Sequence, residues 1–274
     1  MLQDVRSYKD PMVRKLVRQE RIKADTLDLF GEAPPEDLMS DYALDLEGQA
    51  RNKTIQRKYA NRARNINRAW NRTQLYLPEI LTEPCLDVLE LSTAHGAMLE
   101  VARHFGHNVM GTDYANMVWA KQGADMAQFR DLNDPSFDRK TDDNGRTIDR
   151  AQPDWPYRHI TQSLDLPMTI FDGGEIPYPF EDNSYDVVMC FQAIEHYCHP
   201  DHWMALIDEY CRISRQTVFV LLNRLIPEFR EIEDYRTAFH DFRRDMRSYD
   251  RNGFRCAGCF VHWDQALGFK LSAR

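Results

Sequence analysis

The stretch from Val88 to Asp113, VLELSTAHGAMLEVARHFGHNVMGTD, constrains this chain more than any other, because it reads as strand, tight turn, helix and second strand ending in a carboxylate. Val88, Leu89 and Leu91 form a short apolar run around Glu90, and Ala97 to Arg103 sets Met98, Val101 and Ala102 on one side of a helix. Val109 and Met110 lead through Gly111 to Asp113. That acid stands 23 residues after Glu90, near the interval at which a βαβ unit sets a carboxylate against ribose hydroxyls.

On these residues the chain resembles the S-adenosylmethionine-dependent methyltransferases of the Rossmann-like class. In that family the first strand ends in an acid followed by a Gly-x-Gly-x-Gly turn, and a second acid closes the next strand. Here the turn is Glu90-Leu91-Ser92-Thr93-Ala94-His95-Gly96, so Ser92 and Ala94 replace two glycines and only Gly96 remains. Glycine serves such a turn by allowing positive φ and close backbone approach. Ser and Ala are the smallest substitutes, so the turn can still form, tighter against the ligand.

A second resemblance lies in FDGGEIPYPFEDNSYDVVMCFQAIEHYCHP, Phe171 to Pro200. Asp172 stands where the family places an acid near the adenine amine. Ile176-Pro177 to Tyr185-Asp186 resembles the Leu-Pro-Phe…Ser-Phe-Asp entry into the fourth strand, which here is Val187 to Phe191. Ile194-Glu195-His196 resembles the Leu-Glu-His that opens the following helix. The resemblance covers roughly residues 86–222. It implies a cofactor site made of Glu90, Ser92, Ala94, Gly96, Asp113, Tyr114, Asp172, Gly173 and Phe191. The fold it implies is α/β: a Rossmann-like, mostly parallel seven-stranded sheet with helices on both faces and an N-terminal helical extension.

Composition agrees. A chain of 274 residues with 43% apolar content can bury one α/β core. No run of about 18 apolar residues occurs, and the N-terminus lacks an apolar signal core, so a cytoplasmic protein without a membrane span is expected. Cys85, Cys190, Cys198 and Cys211 sit in apolar strand or helix contexts and read as reduced thiols. Cys256-Ala-Gly-Cys259, with His262 nearby, has half the spacing of a zinc site, but a structural zinc normally takes four ligands, so buried thiols in a C-terminal hairpin are expected and no metal is assigned.

Residues 1–81 read as a helical extension or cap, broken at Gly31 to Pro35, and residues 82–274 as the α/β domain. The first helical pattern runs roughly from Asp10 to Leu29. The second is cationic: from Gln49 to Pro78 there is no acid, and in the basic helix 51–72 Lys53, Arg57, Arg64, Arg68 and Arg72 share one face, opposite Ile55, Tyr59, Ile66 and Trp70. In a chain of net charge −8, such a ridge reads either as an anion site or as a solvated face. Helices of this kind cover the cofactor in the resembled family, so Tyr59, Arg62, Trp70 or Tyr76 are candidates to reach the pocket. Between Asp113 and Asp172 lie 58 residues, so an insertion is expected at about 131–158, with Trp155, Tyr157, Arg158 and His159 as candidates for a lid. Further on, Asp201 to Arg212 reads as a helix and Thr217 to Leu222 as a doubly buried fifth strand. Glu228 to Arg251 has helical spacing, and Gly253 to Arg274 reads as antiparallel edge strands, with a turn at Gly268-Phe269.

Methyl transfer requires a nucleophile aligned with the methyl–sulfur bond, and an oxygen nucleophile usually needs a base. His199 and His196, beyond the fourth strand, are the catalytic candidates, with His95 in the cofactor turn a third. The resulting expectation is an S-adenosylmethionine-dependent methyltransferase acting on an O or N atom of a small-molecule or sugar-type biosynthetic intermediate, which an anionic group would suit. Alternatives are an inactive methyltransferase-like binding or assembly protein, and a nucleic-acid-modifying methyltransferase using the basic helix; the acidic balance disfavours nucleic acid but leaves it open. A nicotinamide-dependent oxidoreductase on a similar fold fits the Phe171 to His196 segment poorly.

Overall fold

The computed structural model describes residues 33–42, 58–114, 155, 157–223, 225, 227–261 and 267–274. The predicted helix at Asp10 to Leu29, Arg51, Lys53, Ile55, Arg57, His262 and the 131–154 part of the predicted insertion lie outside them. After a short 3₁₀ turn at Glu36–Met39 come α1 (Arg62–Tyr76), α2 (Glu79–Thr82), β1 (Asp87–Leu91), α3 (Ala97–His104) and β2 (Asn108–Asp113). Then follow α4 (Arg158–Ser163), β3 (Met168–Ile170), β4 (Tyr185–Phe191), α5 (Trp203–Ile213) and β5 (Ser214–Leu221). The described residues end with α6 (Pro227–Arg230), α7 (Glu233–Arg247), β6 (Asp250–Arg251), β7 (Phe254–Val261) and β8 (Leu267–Ala273).

The strands form one sheet in the order β3-β2-β1-β4-β5-β8-β7-β6. Neighbours from β3 through β5 are parallel, with Leu89 beside both Met110 and Val188, and β8 runs antiparallel between β5 and β7. The sheet therefore has eight strands rather than the expected seven, the extra one being the two-residue β6. This is the mostly parallel, Rossmann-like architecture expected of the sequence. Side chains alternate between two cores, as the two-residue period of a strand requires. Val88, Val187, Met189 and Phe219 face α1 and α3, while Leu89, Val188, Cys190 and Val220 face α5 and α7. Burial on both faces explains the continuous apolar runs. Gly268 lies inside β8 and not in a turn; a Cβ there would stand 2.9 Å from the Phe219 ring, so packing against β5 requires the bare backbone.

Local signals delimit the helices that carry the site. At the end of α1, Leu77 precedes Pro78 and leaves the helical region (φ −130°, ψ 53°), as a residue before proline tends to. Gly106, at φ +85°, follows α3 in the left-handed conformation common just past a helix end. Ile194-Glu195-His196 does not open the next helix but makes a single 3₁₀ turn, a second 3₁₀ turn follows at Pro200–His202, and α5 begins only at Trp203. The Trp203 indole donates to Cys198 O at 2.9 Å and stabilises this stepped entry.

Helix α1 is buried on most of its circumference, so the predicted cationic ridge is not a single exposed face. Arg64 is exposed, but Arg72 is buried and Arg68 half-buried, because the second half of the helix lies over the end of β4 as well as against α3. Arg62 forms a bidentate ion pair with Glu100 of α3, its Nη1 at 2.7 Å from Oε1, and its Nε donates to Ser40 O at 2.6 Å. Trp70 stacks on Phe105 and Tyr76 on Phe219, with ring centroids 6.0 and 4.7 Å apart. Arg62, Trp70 and Tyr76 thus serve packing. Cys85 is exposed in the bend before β1 and not within the expected strand or helix, whereas Cys190, Cys198 and Cys211 are buried. Cys256 and Cys259 are half-buried and exposed, with sulfurs 3.7 Å apart, because β7 is an outer strand with a bulge between Cys256 and Gly258.

Removing one partner of a buried ion pair strands the other charge. Arg62→Met should therefore destabilise the chain by about 3 kcal/mol, measured by denaturant unfolding, while Arg64→Met should change stability by less than about 0.5 kcal/mol.

Candidate functional site

The site is built on the turn between β1 and α3. Ser92, Ala94 and Gly96 are all left-handed, at φ 55°, 52° and 77°, so the two substituted positions keep the backbone that glycine would adopt without strain. Holding an L-residue there costs roughly 1–2 kcal/mol. Hydrogen bonds to β2 supply the constraint. The Thr93 amide donates to Thr112 O at 2.8 Å, the Thr112 amide donates to Thr93 Oγ1 at 3.1 Å, and the Ser92 amide donates to Thr112 Oγ1 at 3.1 Å. Thr93 Oγ1 in turn donates to Glu90 O at 2.9 Å. At Gly96 a Cβ would overlap the Leu166 side chain, so this glycine is held by packing as well as by φ.

Two carboxylates flank the turn. Glu90 is buried and Asp113 half-buried, and Glu90 Oε2 and Asp113 Oδ2 are buried atoms without a hydrogen-bond partner among the described residues. Burial holds the Glu90 carboxyl well above its usual range, an effect opposed by Arg72 and reinforced by Asp113. Burial likewise pushes Asp113 up to about 7, although the Tyr114 amide donates to its Oδ1 at 2.8 Å.

Other predicted residues converge on this turn. Asp172, buried after β3, accepts from the Gly174 amide at 2.9 Å. Beside it, Gly173 leaves room for Tyr197: a Cβ would stand 2.8 Å from that ring. The Tyr197 hydroxyl lies 2.5 Å from Ser92 Oγ, so Tyr197 links the Asp172–Gly173 loop to the glycine-like turn. Phe191 closes β4 beneath the Arg72 guanidinium, 4.9 Å from the ring centroid. Tyr59, Trp155, Tyr157, Ile160 and Ile170 form a separate apolar cluster against Ala94, which gives the proposed lid segment an aromatic wall beside the turn.

The histidines have different settings. His95 Nδ1 accepts from the Ala97 amide at 3.3 Å, and burial, with Lys58, Arg72 and Arg68 nearby, holds the imidazole well below its usual pKa. His199 Nδ1 is 3.1 Å from Asp201 Oδ2 and its ring meets Tyr235 of α7 edge-on. His196 shares a short turn with Glu195, whose carboxylate accepts from the Asn223 amide at the end of β5 and is pushed by burial up to about 7. Sequence reasoning named Ile194-Glu195-His196 but overlooked Glu195 itself, along with Tyr197 and Gln192. The signal for Tyr197 was its place directly after His196; Gln192 carried none. Among the described residues no cluster of three metal-ligating side chains occurs, and no helix is long and apolar enough to cross a membrane.

Comparison with known proteins gives the family of this chain. Residues 44–252 match the family described as a methyltransferase domain, and the chain belongs to that family. The family is the class of S-adenosylmethionine-dependent methyltransferases, and S-adenosylmethionine is its cofactor. No curated protein matches the chain. Among solved structures, a chain of the complex between the Haloferax volcanii Trm112 methyltransferase activator and a methyltransferase aligns at 15% identity over 85% of this chain and 97% of its own (TM-score 0.45). Magnesium protoporphyrin IX methyltransferase from Synechocystis PCC 6803 with bound S-adenosylhomocysteine aligns at 11% identity over 95% and 100% (TM-score 0.45). A sarcosine dimethylglycine methyltransferase from Galdieria sulphuraria aligns at 11% identity over 81% and 89% (TM-score 0.42).

The raised carboxyls set the sign of a pH effect. In the unfolded chain Asp113 and Glu195 lose their protons near about 4, but in the fold they retain them to about 7. The folded state therefore binds more protons between these values, and stability from these groups falls as pH rises from 4 to 7. Asp113→Asn removes one such loss. Without ligand, the variant should gain on the parent by about 3 kcal/mol between pH 4 and pH 8 in denaturant unfolding; a gap that does not widen as pH rises would contradict the buried setting of Asp113.

Proposed function

We propose that this chain transfers the methyl group of S-adenosylmethionine to an oxygen or nitrogen atom of a small-molecule or sugar-type acceptor. The observation that carries this reading is the pair of buried, partnerless oxygens, Glu90 Oε2 and Asp113 Oδ2, on either side of a turn held left-handed at 92, 94 and 96. Buried acceptors of this kind are costly unless a ligand donates to them. Glu90 and Asp113 accept hydrogen bonds from the cofactor's polar groups, while Ser92, Ala94 and Gly96 bring the backbone close. Tyr114, Asp172, Gly173 and Phe191 complete the cofactor site.

Once bound, the cofactor supplies a methyl carbon made electrophilic by its sulfonium. The chain's contribution is position, exclusion of water and proton transfer. Helix α1, at the end of the 1–81 cap, and the Tyr59–Trp155–Tyr157 wall enclose the ends of the strands, which suits a compact acceptor better than a polymer. The inward turn of Arg72 and Arg68 also removes most of the described ridge from a polyanion's reach. His199, oriented through Nδ1 by Asp201, acts as the base for an acceptor that must lose a proton, and His196 is the second candidate. A cytoplasmic setting fits this reading.

Calorimetric titration tests the cofactor step. The parent chain should bind S-adenosylmethionine and S-adenosylhomocysteine at micromolar concentration, and Asp113→Ala should weaken both at least tenfold. Absence of binding by a folded parent chain would refute the enzyme reading.

A further inference from the structure

Two arginines of α1 are aimed at one uncharged oxygen. Arg68 Nη2 donates to Gln192 Oε1 at 2.7 Å, and Arg72 Nη2 donates to the same atom. The two guanidiniums stand one helical turn apart, and Arg72, 9% exposed, lies over the Phe191 ring. The Nε of each is buried without a hydrogen-bond partner, and neither arginine makes an ion pair among the described residues. Arg62, at the start of the same helix, shows the contrast with its two-point pairing to Glu100.

A buried guanidinium without a counterion costs several kcal/mol, and an amide oxygen offers lone pairs but no charge to offset two cations. The strain shows in Arg72 itself, which burial and then its neighbour Arg68 push down to about 9. Glu90, the carboxyl that attracts Arg72, is itself held toward its neutral form. Gln192 is also fixed in place. It sits directly after β4 at φ 56°, donates its amide to Leu221 O at 2.6 Å, and accepts at its carbonyl from Asn223 Nδ2 at 3.2 Å. The pair is thus held over the ends of β4 and β5 with nothing in the described chain to neutralise it.

We propose that Arg68 and Arg72, held by Gln192, form the subsite for a carboxylate or phosphate group of the methyl acceptor, so that the acceptor is an anionic small molecule. The proposal rests on the methyltransferase reading. Guanidinium forks match the planar or tetrahedral oxygens of such groups and take them two at a time. The anchor of the pair points to the acceptor: Gln192 and Asn223 follow β4 and β5, beyond Phe191, the last residue of β4 given to the cofactor site, whereas the cofactor's carboxylates Glu90 and Asp113 lie at the ends of β1 and β2.

The test uses inorganic phosphate as the probe, at constant ionic strength, with the melting temperature of the full chain as readout. The parent should show a saturable rise of about 2–4 °C. Gln192→Glu places a fixed carboxylate between the arginines; it should melt at or above the parent without phosphate and lose the phosphate response at least fivefold. Arg72→Gln should lose the response too, and if it does not fold, Gln192→Glu still decides. The S-adenosylhomocysteine affinity of each folded variant should stay within twofold of the parent's. A parent that does not respond to phosphate, or a response kept in Gln192→Glu, overturns the proposal. So does a tenfold loss of S-adenosylhomocysteine affinity in the variants, which would assign the arginines to the cofactor's own carboxylate. If the parent binds no S-adenosylhomocysteine, the methyltransferase reading fails and the acceptor assignment with it, while the phosphate arm separately decides whether the arginine pair binds anions.

Discussion

The exchange of hydrogen bonds between Thr93 and Thr112 is the constraint on which the site depends. It joins the turn after β1 to β2 through both backbone and side chain, and both threonines are buried. Without it, Ser92 and Ala94 would have little reason to remain left-handed, since such a backbone is unfavourable for any residue with a Cβ. With it, a turn that ordinarily relies on glycine is built from residues that lose less entropy on folding. The same clasp sets Glu90 and Asp113 on parallel neighbours with the turn between them.

Around that turn the chain concentrates buried charge of both signs at one end of the sheet. Glu90, Asp113, Asp172 and Glu195 lie at or just beyond the ends of β1, β2, β3 and β4, and Arg68 and Arg72 descend on the same end from α1. In open parallel sheets, ligands bind in the crevice outside the carboxyl ends of the strands. Burial has raised Glu90, Asp113 and Glu195 and depressed Arg72, so each of these groups stands in an environment that disfavours its charge. By contrast, Arg62–Glu100 and Lys270–Glu79 are closed pairs that attach α1 and α2 to the α/β core.

Much of the architecture was readable because it depends on patterns that local sequence carries. The doubly buried strands appear as apolar runs, and the boundaries of β1, β2 and α3 fall within a residue of those expected from Val88 to Asp113. The left-handed turn was readable only by resemblance, since neither Ser92 nor Ala94 signals positive φ. The surroundings of the basic helix differ in part from the expected single exposed face. Helical periodicity puts Arg64, Arg68 and Arg72 on one face, but it is silent about what lies beyond the helix's end, where Gln192 and Phe191 receive two of them.

The sequence by itself determined the βαβ unit and the acids near the ends of β1 and β2, because these follow from hydrophobic period and spacing along the chain, while the wider sheet was expected through the family resemblance. Only the tertiary structure decided which polar groups are left unsatisfied. That Glu100 neutralises Arg62 while Gln192 cannot neutralise Arg68 and Arg72, and that Tyr197 joins Ser92 to the Gly173 loop, depend on contacts between residues tens to more than a hundred positions apart. Such contacts arise from how the sheet and its helices pack, and no local pattern encodes them.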